Sequence, residues 1–334
     1  MRDALIFLNI TMNSIPKLDH LNTGMANIAD AIHRTPLLFS HTISDIVGQP
    51  VILKFENLQK TGSFKVRGAL NSIVSLDDNT RKRGVITTSA GNHAQAVAWA
   101  ANRAGTCATV VMPAHASESK IRASKKYGAE VILKDTVFDA FDLSLELAKK
   151  NKLNFIHPFD DPITIAGQGT IGIEIIEEIP NVENVIVPIG GGGLISGIAL
   201  AIANLAPSAR VFGVEPYGAS AMRQSLDKGR AIHLNAIDTV ADGLGAPMAG
   251  ELNFKIVQNH VEDVVLVSDD EIRQAMRFVL DHTKTLAEPA GVATIAALLK
   301  KKIDIKKGPV VAIISGGNVD LEMLPDLFAT TQST

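Results

Sequence analysis

The chain of 334 residues contains a single cysteine, Cys107. No intrachain disulfide can form and a cysteine-rich metal site is excluded, which points to a reducing, cytoplasmic compartment. Net charge is also scarce, at −3 with a pI near 6.3. Lysine and arginine are scattered rather than massed, so there is no basic field for nucleic acid and the expected partner is a small molecule. No stretch approaches the roughly 18 uninterrupted apolar residues of a spanning helix, so no membrane association is expected. The apolar run Ala4–Ile10 is short, follows Asp3 and lacks a small-residue cleavage pattern, which argues against a signal peptide. There is no linker rich in Pro, Ser and Gly, and no internal repeat.

What is present is a composition of 46% hydrophobic and 20% charged residues, enough to build substantial cores in one large or two medium domains. "HLNTGMANIADAIHRTP" reads as a leader helix closed at Pro36. From residue 51, short β-branched runs alternate with longer amphipathic stretches: "VILKFE" then 64–76, "GVITTSA" then 92–104, "ATVVMP" then 118–127, "EVILK" then 137–150. A second series runs through "VENVIVPIG", "ARVFGVE", "VEDVVLVS" with a helix over 269–283, and "GPVVAIISGGN". Such alternation is the signature of βαβ units and predicts an α/β fold of two packed lobes with a cleft between them. Ligands of open α/β sheets sit beyond the carboxyl ends of strands, where this sequence places "TTSAGNH", "PIGGGG" and "ISGGN".

Gly190, Gly191, Gly192 and Gly193 stand between an apolar strand and a helix beginning near Leu194. Backbone N–H groups can turn inward together there, as a phosphate nest at a helix N-terminus requires. Strand, glycine loop, helix, strand and then Glu215 also copy the layout of a dinucleotide site, and a nicotinamide-dependent oxidoreductase stays open as a distant alternative. The spacing counts against it: a G-x-G-x-x-G register begun at Gly190 or Gly191 meets Ile195 or Ser196 at its third glycine. A single phosphate monoester fits better.

In "TGSFKVRGAL", Lys65 follows Thr61, Gly62 and Ser63, a plausible cap and first turn of a helix. Gly68 and Ala69 share its helix face and are expected to leave a hollow around the amine, while Arg67 points elsewhere. A desolvated lysine in a first turn has a lowered pKa, and a neutral amine is what Schiff-base chemistry requires.

Together these motifs resemble the pyridoxal 5'-phosphate (PLP) enzymes of the tryptophan-synthase-β type, within them the serine/threonine dehydratase and serine racemase group. The resemblance runs from "RTPLL" through "ENLQKTGSFKVRGA", "SAGNHAQAVA", "AGQGTIGIEI", "PIGGGGLISGIA", "GVEP", "ADGL" and "EPAG" to "ISGGNVD". It implies that each lobe is a mostly parallel sheet flanked by helices, with residues 1–69 and 161–334 forming a large PLP-binding domain and 70–160 a small mobile one. It implies Lys65 as Schiff-base partner and base on the substrate α-proton, with Gly190–Gly193 and Leu194 around the phosphate. Asn92 would bond the ring's phenolic oxygen, Phe64 would pack behind the Schiff base, and Ser315 would face the pyridine nitrogen. Ser89, Ala90, Gly91, Asn92 and His93 would hold the substrate carboxylate, with a structural role for His93 as the alternative.

The resemblance also bears on the reaction. A racemase of this group carries a serine where this chain has Ala90, and alanine cannot exchange a proton on the second face of the substrate. The implied activity is an L-threonine/L-serine dehydratase, an ammonia-lyase that forms a 2-oxo acid. Another β-hydroxy amino acid such as 3-hydroxyaspartate, a bulkier one met by Phe138 and Phe141, or serine racemisation are the alternatives. A divalent-cation site often follows "GVEP" in this group. Glu215 and the Ala219 carbonyl match it, but Ala221 stands where a second carboxylate is expected, which makes a poor cage for Mg²⁺ or Ca²⁺. Isoleucine feedback through a further C-terminal domain is not expected, and a homodimer or homotetramer is.

Overall fold

A computed structural model describes residues 14–328; the apolar run Ala4–Ile10 lies outside them. The ten strands among the described residues are β1 (Leu37–Phe39), β2 (Val51–Phe55), β3 (Val85–Thr88), β4 (Ala108–Pro113), β5 (Glu130–Lys134), β6 (Asn154–Phe155), β7 (Asn184–Pro188), β8 (Arg210–Pro216), β9 (Asp263–Val267) and β10 (Val310–Ile314). They form two sheets, a six-stranded one in the order β1-β2-β10-β7-β8-β9 and a four-stranded one in the order β5-β4-β3-β6. All pairings are parallel except the edge pair, where β1 runs antiparallel to β2. That short edge strand, from "TPLLF", is absent from the sequence reading because three residues carry too little periodicity. The leader helix spans Leu18–Ile28 and so ends eight residues before Pro36, where the sequence places its close.

The β-branched runs become strands because both faces of the large sheet are covered. In β10, Val310, Ala312 and Ile314 pack into one core cluster while Val311 and Ile313 pack into another on the opposite face. β7 divides in the same way, with Ile186 on one side and Val185 and Val187 on the other. A third cluster gathers Val66, Ala69 and Leu70 with Val85, Ala96, Val97 and Val110, so the helix that begins at Lys65 is bound into the core beside the small sheet.

Two helices join the sheets, Lys65–Val74 and Pro162–Glu178, and they approach unusually closely. A Cβ on Gly167 would lie 2.7 Å from the Arg67 carbonyl and from the Gly68 Cα, and one on Gly68 would lie 2.8 Å from the Thr164 carbonyl. Gly68 therefore makes room for a neighbouring helix rather than a hollow around the lysine amine. Gly169 meets Gly197 of the helix Gly193–Leu205 equally closely, which explains the glycine spacing of "AGQGTIG".

Between these helices and β2 lies a buried ionic cluster. Arg67, fully buried, donates to Glu56 from Nε and Nη2 at 2.9 and 2.8 Å, and to Glu174 from Nη1 and Nη2 at 2.7 and 3.0 Å. Lys54 Nζ donates to Glu174 at 2.5 Å and to the Thr35 carbonyl at 2.7 Å. Two cations thus face two carboxylates, and Arg67, two residues beyond Lys65, is committed to this cluster. Burial lowers the Arg67 pKa, but the two carboxylates outweigh it and the net shift is upward.

Candidate active site

Strand order decides which loops meet. β10 lies between β2 and β7, so the carboxyl ends of these three strands deliver residues 56–64, 315–318 and 189–192 side by side. The loop after β3 supplies Ser89–Gly91, and the segment after β6 supplies His157–Asp161.

Lys65 is the first residue of its helix, and Phe64 is the N-cap without a side-chain capping bond. Neither Thr61 nor Ser63 caps it, contrary to the sequence reading. Thr61 (φ 58°) and Gly62 (φ 74°) form a left-handed turn, and the chain is then held by backbone pairing: Ser63 bridges Gly316, and Phe64 N–H donates to the Ser315 carbonyl at 3.2 Å. The Lys65 amine is partly buried, donates to the Pro158 carbonyl at 3.0 Å, and stands 5.1 Å from the centre of the Phe64 ring. Burial pulls its pKa down to about 8, opposed by the negative charge of Glu288.

The segment His157–Asp160 links the amine to the glycine loop. Pro158 touches Lys65, and the ring of Phe159 lies where a Cβ on Gly191 would fall; the Phe159 carbonyl would be 2.9 Å from a Cβ on Gly193. Gly192, at φ 101°, occupies backbone space that other residues rarely enter, and a Cβ there would sit 2.7 Å from that of Asn253. Gly190 is packed against the backbone of Leu244. Asn253, fully buried, ties the loop to its support by donating to the carbonyls of Gly191 at 3.1 Å and Phe159 at 3.0 Å. Asp160 accepts from the amides of Glu251, Leu252 and Asn253, fixing the N-terminus of the helix Glu251–His260. The glycine loop leads into the helix Gly193–Leu205 with Leu194 buried in its first turn. A phosphate-sized anion suits this backbone cradle, since side chains are sterically forbidden at Gly191 and Gly192.

Around the amine, Asn92 opens the helix Asn92–Arg103 and donates to Glu288 Oε1 at 2.6 Å while accepting from Asn318 at 2.8 Å. Burial pushes the Glu288 carboxyl up to about 7; Asp242 adds to the shift, and the bond from Asn92 and the charges of Lys120 and Lys65 oppose it. Among the described residues the Ser315 hydroxyl, 3% exposed, has only a long 3.5 Å contact to the Ala290 carbonyl. Ser89 Oγ accepts from Gly91 N–H at 3.1 Å, and the space a side chain would occupy at Gly91 is open. Ala90 precedes it in the same loop.

His93 faces the Ile156 carbonyl, with Nε2 at 3.1 Å and Nδ1 buried without a partner among the described residues. Burial, with Lys65 nearby, holds its pKa down to about 3, so the ring is neutral and is bonded to the backbone. Sequence reasoning missed His157, for which "NFIHPF" carries no motif. Its Nδ1 accepts amide hydrogens from Phe159 at 3.3 Å and Asp160 at 2.8 Å, so the proton of the neutral ring resides on Nε2. Burial and Lys65 keep its pKa at about 4. Glu288 and Asn318 likewise stand in the sequence only as parts of "EPAG" and "SGGN".

Phe141 packs edge-on against Phe155, and Phe138 is 67% exposed. Glu215 is fully buried and both its oxygens accept backbone amides at 2.8 Å, from Met222 and Arg223, so it caps the helix Ala221–Lys228; burial pushes its carboxyl up to about 8 against those bonds. Ala219 and Ala221 are buried beside it, and among the described residues no group of three His, Cys, Asp or Glu side chains is placed to hold a metal.

Residues 28–316 match the family of pyridoxal-phosphate dependent enzymes. The chain belongs to that family. A Thermotoga maritima protein named L-threonine ammonia-lyase is 46% identical to this pyridoxal-phosphate family member over 308 residues, 92% of this chain and 77% of that one. Maize serine racemase superposes with a TM-score of 0.91 at 39% identity, covering 94% of this chain and 97% of its own. The processed form of threonine deaminase isoform 2 from Solanum lycopersicum superposes with a TM-score of 0.87 at 38% identity, covering 95% and 90%. The tryptophan-synthase-β type of fold expected from the sequence is thus the fold of this family member. Among the described residues no helix is long and apolar enough to cross a membrane.

Proposed function

We propose that the protein is an L-threonine/L-serine ammonia-lyase that uses pyridoxal phosphate to convert a β-hydroxy amino acid to a 2-oxo acid and ammonia. The observation that carries the reading is the lysine amine with its lowered pKa, held by Pro158 one residue from the ring on which the glycine cradle rests. The residues suit the cofactor: Gly190–Gly193 and Leu194 would hold its phosphate, Lys65 its aldehyde carbon, Asn92 its phenolic oxygen and Ser315 its ring nitrogen, with Phe64 packed beside the amine. When bound, this cofactor supplies an electron sink for the negative charge that develops at the substrate's Cα.

Lys65 Nζ takes the α-proton, which it can do because burial leaves a useful fraction of the amine uncharged near neutral pH. Ser315 offers a hydroxyl rather than a carboxylate and so cannot keep a ring nitrogen protonated, which suits departure of the β-hydroxyl better than a long-lived carbanion. Ser89, Gly91 and Asn92 orient the substrate carboxylate at a helix N-terminus, with His93 keeping the loop in place through Ile156. Ala90 supplies no second proton donor, so protonation from the opposite face has no agent there. Loss of the α-proton and the hydroxyl leaves an enamine, whose hydrolysis gives the 2-oxo acid and ammonia.

Residues 70–160 act in this proposal as the mobile unit that closes Ser89–His93 over the substrate and excludes water. The ion pair of Lys120 with Asp242 and the 3.3 Å contact of Ser119 with Asp320 support that role, since both connect the helix Glu118–Lys126 to loops beyond residue 240. A cytoplasmic location and a homodimer or homotetramer belong to the same proposal; the Glu215 carboxylate already caps a helix, so the mechanism assigns no step to a divalent cation.

Release of 2-oxo acid from a panel of β-hydroxy amino acids, with chiral analysis of the remaining substrate, tests the reading. Threonine and serine are expected to react fastest without D-serine accumulating. Turnover confined to 3-hydroxyaspartate, or D-serine formed at a rate comparable to elimination, would replace it.

A further inference from the structure

The "EPAG" motif, Glu288–Gly291, has no role in the chemistry described above, yet Glu288 terminates a directed chain of side chains that crosses the site. The chain begins at the Thr61 carbonyl, which can only accept, so the Asn318 atom 2.6 Å from it is the amide nitrogen. The same nitrogen lies 2.8 Å from the Asn92 side chain, which must therefore present its oxygen. The Asn92 nitrogen is thereby turned to Glu288 and donates to Oε1 at 2.6 Å. Each amide orientation follows from the preceding one and is anchored on a backbone group that cannot be flipped.

Two glycines keep the path clear. A Cβ on Gly62 would collide with Asn318 Oδ1, and one on Gly316 with Glu288 Oε1. Thr61 itself is held in the left-handed region at φ 58°, so the turn that leads to Lys65 is braced by the same chain. Glu288 is 3% exposed, and its Oε2 accepts no hydrogen bond among the described residues. With one hydrogen given to Glu288 and one lone pair taken by Asn318, the Asn92 carboxamide retains a single N–H with which to serve a ligand that can only accept.

We propose that Glu288 is a positioning residue for the cofactor: as terminal acceptor of the chain, it locks the Asn92 carboxamide so that its remaining N–H is presented to the phenolic oxygen of the bound ring. The inference rests on the pyridoxal-phosphate reading. Glu288 acts through Asn92, and its chemistry requires only an acceptor oxygen of the right reach, which glutamine also has.

The experiment titrates the apo-forms of wild type, Glu288→Gln, Glu288→Ala and Asn318→Ala with pyridoxal phosphate and records affinity, the visible band and the apo-protein melting temperature. The Gln variant is expected to bind within about threefold of wild type with the same band. Ala at 288 or at 318 is expected to weaken binding about tenfold or more, the loss of a hydrogen bond to a charged group, and to displace the band. Wild-type affinity and band in Glu288→Ala would overturn the proposal. So would a Gln variant as weak as Ala with an undisplaced band and a lowered melting temperature, the pattern of a carboxylate needed only for folding. A wild-type protein that forms no visible band with pyridoxal phosphate would instead defeat the cofactor reading on which the inference stands.

Discussion

The reactivity of Lys65 in the apo-protein can be predicted from its surroundings. An ordinary lysine with a pKa near 10.5 is uncharged in only about 0.03% of molecules at pH 7, whereas a pKa of about 8 raises that share to about a tenth, some 300-fold. The cause is loss of hydration around Nζ, which has one carbonyl partner at 3.0 Å and an aromatic ring beside it, and the opposing charge of Glu288 recovers only part of the loss. The sign follows: lowering the pKa of a cation widens the pH range over which the free amine exists, so reaction with an aldehyde should increase with pH and level off just above about 8. Stopped-flow mixing of the apo-protein with pyridoxal phosphate, followed by the growth of the visible band from about pH 6 to pH 10, measures this profile. A rate still rising tenfold per unit between about pH 9 and pH 10 would mean a solvated lysine, and the argument from burial would fail.

Replacing Lys65 by Ala should abolish the visible band and cut 2-oxo acid release by at least about a thousandfold, because one residue supplies both attachment and the base; activity within tenfold of wild type would identify a different base. Gly191→Ala drives a methyl into the Phe159 ring and should cost about 1–3 kcal/mol, roughly five- to 150-fold in cofactor affinity, with part recovered in the double variant with Phe159→Ala. Failure of the second substitution to rescue the first would remove Phe159 as the obstacle. Glu174→Gln leaves Lys54 and Arg67 facing Glu56 alone in a buried site and should lower stability by about 3–5 kcal/mol, read as a reduced urea midpoint. An unchanged midpoint would mean that water or a rearranged side chain compensates the charge. Ala90→Ser restores a hydroxyl to the loop and is expected to yield D-serine from L-serine, by chiral chromatography, where the native chain yields none; its absence would show that more than this residue blocks the second face.

Much of this protein is legible without its coordinates, because the signals are local. β-branched runs of four to seven residues alternating with amphipathic stretches specify parallel α/β units, and consecutive glycines at a strand end specify backbone exposed to an anion. The sequence therefore determined the strands other than the short β1 and β6, most boundaries of the helices it reads to within a few residues, and the three loops that carry Ser89–His93, the glycine nest and Ser315, whereas the helices Pro162–Glu178 and Glu251–His260 carry no signal that it reads. Tertiary structure alone decided what those loops touch. Gly68 serves a helix whose partner glycine lies about a hundred residues on, Arg67 is neutralised by Glu174 from that same helix, and Glu215 is consumed by a helix cap. The Glu288–Asn92–Asn318 chain joins positions 92, 288 and 318, and no periodicity encodes a hydrogen bond between residues that distant. Propensity and pattern act over a few neighbours along the chain, whereas burial, charge pairing and the pKa of an amine are set by whatever the fold brings within a few ångströms, which only three dimensions supply.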